Sequence, residues 1–75
     1  MSKTYNLNCE GMVCPMPVAK TKRRLNKMEI GEILEIKGDF AEASENIKRF
    51  VEKQGHSVLE YKVDGEEYFL KIKKN

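Results

Sequence analysis

The groups in this chain whose types and spacing could do chemistry are two thiols, one imidazole and a run of cations. Cys14 stands directly before Pro15-Met16-Pro17, at the start of a helical pattern and after the Gly11 turn. A proline pushes the preceding residue towards extended backbone and itself fits a first helical position, so Cys14 reads as an N-cap. Pro17 disfavours helical angles at Met16 in the same way, so the helix could also begin only at Pro17. In either register a thiol at a helix start feels the positive end of the dipole, which favours the thiolate that attacks sulfur or binds metal.

Magnitude limits that activation. A surface helix end contributes about 0.3–1 kcal/mol, whereas one pKa unit is about 1.4 kcal/mol. The two prolines also remove two N–H groups, leaving the Met16 N–H as the main backbone donor to a capping sulfur. Such a moderately activated thiol suits attack on an already reactive sulfur better than unaided amide hydrolysis. A Cys-His site is disfavoured because the single histidine, His56, follows the Gly55 helix stop. Cys9, Cys14 and His56 lack the paired spacing of a zinc site, so no metal is expected.

Cys9 falls with Tyr5 and Leu7 on the core side of an alternating strand, where a cysteine packs as a small hydrophobe. The alternative is a second thiol that forms a disulfide with Cys14 as a redox switch, which requires suitable geometry across the Gly11 turn. Lys20, Lys22, Arg23, Arg24 and Lys27 make the first helix basic. That run is either a solvated face or a docking patch, led by Lys20, Lys22 and Arg23, for an acidic partner. On the docking reading the chain is a non-catalytic binding or regulatory module if Cys14 merely caps the helix. Nucleic acid is not an expected partner, because no RNA-binding aromatic motif accompanies the patch and 14 basic residues nearly balance 12 acidic ones.

The elements that must hold these groups follow from periodicity. Thr4 to Cys9 alternates as a half-buried strand, and residues from about Pro15 to Met28 carry a stripe of Val18, Thr21 or Lys22, Leu25 and Met28. Glu32 to Lys37 alternates with Leu34 and Ile36 on one face. A second helix carries Ala43, Ile47, Phe50, Val51 and Gln54 and stops at Gly55, with either Asp39 (in a capping box with Glu42) or Ser44 as its cap. From Ser57, Leu59, Tyr61 and Val63 face Val58, Glu60 and Lys62 across the strand, and Asp64-Gly65 signals a hairpin into Glu67–Lys73, with Tyr68, Leu70 and Ile72 on one face. The order is βαβαββ, an α+β fold with both helices covering one side of a mixed four-stranded sheet. With 75 residues, no linker and no repeat, residues 1–75 read as a single domain. Without a secretory signal or an apolar run of about 18 residues, the expected location is the cytoplasm, and the expected state is a monomer.

The segment Leu7-Asn8-Cys9-Glu10-Gly11-Met12-Val13-Cys14-Pro15-Met16-Pro17 resembles the signature of the TusA/SirA family of small sulfur-carrier proteins. Gly31-Glu32, Asp39, Ile47, Gly55-His56 and the closing hairpin also fall where that family has them. The resemblance implies a two-layer α/β sandwich and a sulfurtransferase activity in which Cys14 takes sulfane sulfur as a persulfide and passes it on. Gly11, Pro15, Met16 and Pro17 would then position the thiol, and Lys22 would dock partners or balance the persulfide charge. No cofactor is implied. The implied partners are a protein sulfur donor, such as a cysteine desulfurase or rhodanese, and a protein acceptor leading to tRNA thiolation or sulfur metabolism; some relatives work with a membrane thiosulfate transporter. Two departures stand out: Asn8 replaces a common Asp, and Cys9 occurs in only some relatives.

Overall fold

The computed structural model describes residues 3–13 and 16–75. Its elements run β1 (Thr4–Cys9), α1 (Met16–Lys27), β2 (Ile33–Gly38), α2 (Ala41–Lys53), β3 (Ser57–Asp64) and β4 (Glu67–Lys73). The sheet order is β1-β2-β4-β3, with β1 parallel to β2 and the other pairs antiparallel. The expected α+β, βαβαββ architecture is therefore present.

Strand pairing explains why each strand offers one apolar side. Tyr5, Leu34, Ile72 and Val58 share one cross-strand row, and Leu7, Ile36, Leu70 and Tyr61 share the next. These rows face the helices, where Leu25, Met28, Ile47 and Val51 close the core. Alternate rows point to the uncovered side, and one of them places Glu35 beside Lys71 with a 3.9 Å ion pair. The period of two thus separates a buried row from a solvated one along the strands.

Three local expectations need correction. The first concerns β3, where a register shift between Val58 and Glu60 inserts Leu59 as an extra residue, so Val58 and Tyr61 both turn to the core and Leu59 is 50% exposed. A bulge breaks strict alternation in just this way. Val63 shares the helix side with Tyr68 but remains 45% exposed.

The second is the cap of α2. Its N-cap position is Phe40 with no side-chain bond, while Ser44 lies inside the helix, its hydroxyl donating to the Ala41 carbonyl at 2.6 Å and meeting the Tyr61 hydroxyl at 3.0 Å. Asp39 is engaged elsewhere, as described below. The third concerns the stripe of α2, since Gln54 lies exposed after the helix; in α1, where the stripe left Thr21 or Lys22 open, Thr21 is the buried residue.

The far end of the molecule is closed by polar ties. The Lys74 ammonium donates to the Leu25 and Met28 carbonyls, both at 2.6 Å, satisfying the last turn of α1. Buried Glu32 accepts from the Glu29 N–H at 2.8 Å and from the Tyr5 hydroxyl at 3.3 Å.

Candidate functional site

Cys14 and Pro15 lie outside the described residues. The loops around them in sequence are closely tied. As β1 ends, the Asn8 side-chain oxygen accepts from the Glu10 N–H at 2.9 Å, a local turn that needs an amide or carboxylate oxygen but no charge. Asn8 meets that requirement without a charge. The Met12 N–H then donates to the Cys9 carbonyl at 3.2 Å.

Gly11 sits at φ 77°, a left-handed conformation that suits a residue without Cβ. Its N–H donates to Asp39 Oδ1 at 2.9 Å, joining the loop that leaves β1 to the loop that leaves β2. Because β1 and β2 are parallel, both loops emerge at the same end of the sheet. Asp39 therefore anchors the thiol-bearing loop rather than capping α2, a role that no local pattern could reveal.

On the helix side, the Met16 N–H donates to the Val13 carbonyl at 3.0 Å. The donor expected to serve a capping sulfur is thus committed to a backbone turn. Pro17 is fully buried, and its carbonyl accepts from the Thr21 hydroxyl at 2.8 Å. Val13 and Met16 are 59% and 56% exposed, so an apolar rim adjoins positions 14 and 15 along the chain.

Cys9 is a free thiol with no exposed surface. Burial pushes its pKa up, while the Lys20 charge and the Tyr68 hydroxyl partly oppose the rise. It is therefore a poor thiolate and behaves as a packing group. It shares a row with Gly38 and Tyr68. A Cβ on Gly38 would overlap the Tyr68 ring, so glycine is what lets that ring lie across β2. The buried Tyr68 hydroxyl makes no well-formed hydrogen bond among the described residues; the weakly accepting Cys9 sulfur adjoins it, and burial first, then Cys9, raises its pKa. The sequence shows only one trace of this Gly38–Tyr68 packing: glycine stands where the inward-facing row of β2, Leu34 and Ile36, would place its next apolar residue.

The cations expected to act together are divided by the helix. Lys20 and Arg23 line a groove with Leu7, Arg24 and Lys27, whereas Lys22 borders a different depression with Phe50, Gln54 and His56. At about 100° per residue, Lys20 and Lys22 stand about 200° apart around α1. The Lys20 ammonium donates to the Asn8 carbonyl at 2.9 Å. His56 is structural in its contacts: Nδ1 accepts from the Asn75 N–H at 3.2 Å. Burial, with the Lys74 charge second, lowers its pKa. Among the described residues no group of three or more His, Cys, Asp or Glu side chains could hold a metal ion, and no helix is long and apolar enough to cross a membrane.

A sheet with two helices on one side and a tied loop at the end of its first strand defines a class of small α+β proteins. The crystal structure of a SirA-like protein from Desulfitobacterium hafniense superposes on this fold with a TM-score of 0.80 and 25% identity, covering 92% of this chain and 95% of that one. The chain belongs to the family described as Sulfurtransferase TusA, which it matches over residues 5–74. It is 41% identical over 73 residues to a provisionally named sulfur carrier protein of Thermotoga maritima, covering 93% of this chain and 92% of that one. It is 28% identical to the sulfur carrier protein TusA of Allochromatium vinosum, covering 92% and 91% of the two chains.

Proposed function

We propose that this chain is a persulfide carrier in which Cys14 receives sulfane sulfur from a donor protein and relays it to an acceptor. The Cys14 thiolate attacks the terminal sulfur of a donor persulfide. The new S–S bond forms as the donor's S–S bond breaks, and the donor cysteine leaves as a thiolate, so sulfur moves without net oxidation. Transfer to the acceptor repeats the step with Cys14 as the leaving thiolate.

The observation that carries this reading is the family match across residues 5–74, which includes the Cys14-Pro15-Met16-Pro17 segment. The loop geometry supports it. The Asp39 tie at Gly11 and the burial of Pro17 fix the chain on both sides of the thiol, which favours presentation of sulfur over intrinsic reactivity. The Met16 N–H, the main donor expected for a capping sulfur, is engaged by the Val13 carbonyl, which supports a reading in which docking of the partner supplies the catalysis.

On this reading Gly11, Pro15, Met16 and Pro17 position the thiol, and Lys20, Lys22 and Arg23 meet partners. A cysteine desulfurase or rhodanese is the donor class, working in the cytoplasm on a single-domain carrier, and the acceptor serves tRNA thiolation, sulfur metabolism or thiosulfate uptake. The test is cyanolysis after incubation with a desulfurase and cysteine. Thiocyanate released in proportion to the carrier, and lost in Cys14→Ser, is the expected result; equal release from Cys14→Ser removes Cys14 from the role.

A further inference from the structure

We propose that the groove between α1 and the edge strand β1 is a docking channel for an extended acidic polypeptide segment of a partner, read by Lys20, Arg23, Arg24 and Lys27. The inference rests on the carrier reading only for the identity of the partner, since the groove itself is defined by its own side chains.

The four cations fall within about 100° of one another around α1 and line one groove together with Leu7 of β1. Among the described residues three ion pairs occur, and all involve lysines of α2, β3 or β4, so none neutralises this groove. Arg24 is pre-organised: its guanidinium stacks 4.5 Å from the centre of the Tyr5 ring. Its Nε is buried and has no hydrogen-bond partner among the described residues, an unmet donor whose satisfaction is worth more than that of an exposed one. Lys20 is also held, by the Asn8 carbonyl.

Charge complementarity selects an anionic occupant. The Tyr5 ring is covered by Arg24 and so offers no stacking platform for a base. Lys20 also occupies the outward Asn8 carbonyl at the end of β1, which blocks simple strand addition there and leaves side-chain recognition as the mode. Arg24 and Lys27 thereby join the docking set, and Lys22 belongs to the opposite flank of the helix.

The experiment is amide and arginine side-chain NMR of the full chain titrated with a synthetic oligoglutamate peptide. Shifts confined to Tyr5, Leu7, Lys20, Arg23, Arg24 and Lys27, with the Arg24 Nε–H among the largest, are expected. Affinity should fall about tenfold or more in the double variant Arg23→Glu, Lys27→Glu and stay unchanged in Lys53→Glu on α2. Shifts centred on Lys22, Gln54 and His56, equal weakening by Lys53→Glu, or tighter binding of an oligothymidylate of the same charge would each overturn the assignment. Cyanolysis of Cys14 is scored separately, so a carrier that fails to load sulfur but binds the peptide refutes the carrier reading and leaves the groove standing.

Discussion

The Gly11 N–H and the Asp39 carboxylate meet at 2.9 Å across the end of the sheet, joining the two loops that follow the parallel strands β1 and β2. This bond fixes the Gly11 turn, which precedes Cys14 by three residues in the sequence. Asp39→Ala is expected to lower stability by about 1 kcal/mol and to slow sulfur loading of Cys14 more than that loss of fold explains. Asp39→Asn keeps Oδ1 and should recover most of the rate. Loading by a desulfurase at matched folded concentration is the measurement, and an unchanged rate in the alanine variant argues against anchoring.

Gly38→Ala places a methyl group inside the Tyr68 ring, and overpacking of that kind costs about 1–3 kcal/mol. In a Tyr68→Leu background the added cost should shrink markedly, a coupling that urea denaturation of the four proteins resolves. Tyr68→Phe alone should be close to neutral, because the hydroxyl it removes makes no well-formed hydrogen bond among the described residues and adjoins only a weak acceptor in the Cys9 sulfur.

Acid and alkali should both weaken the fold, through different groups. Folding lowers the His56 pKa below its ordinary 6.5, so its contribution is present above that value and is lost as pH falls through the folded pKa. Folding raises the pKa of Cys9 above 9.0 and that of Tyr68 above 10.0, so their contributions are present below those values and disappear as pH rises towards the folded pKa values. Chemical denaturation across pH should give a dome whose acid limb flattens in His56→Gln. An acid limb that persists in that variant assigns it to other groups.

Lys74→Met removes the ammonium that closes α1 through Leu25 and Met28. A loss of about 1.5–3 kcal/mol is expected for these charge-assisted bonds, read as a lower midpoint in thermal unfolding, with Lys74→Arg intermediate. A midpoint equal to that of the parent would show that solvent satisfies those carbonyls equally well.

How much of this was legible depends on whether the cause is local. The strands were legible because Leu34 and Ile36, or Tyr68, Leu70 and Ile72, repeat every two residues and find a covered face. Leu59 misled because a bulge is a property of two paired strands, and β4 does not announce it. Asp39 looked like a helix cap because its true partner, Gly11, is 28 positions away in the chain. Lys20, Lys22 and Arg23 looked like one patch in a linear run, whereas the helix turns Lys22 to the other flank. The sulfur chemistry proposed for Cys14 rests on motif resemblance, since a cysteine before Pro-x-Pro indicates placement but not cargo.

The central claim is tested most directly by the intact mass of the protein after incubation with a cysteine desulfurase and cysteine. The account requires an added mass of one sulfur atom, removed by reductant, located on Cys14 and absent from Cys14→Ser. A parent protein that gains no reductant-labile sulfur, or a Cys14→Ser variant that gains as much, contradicts it.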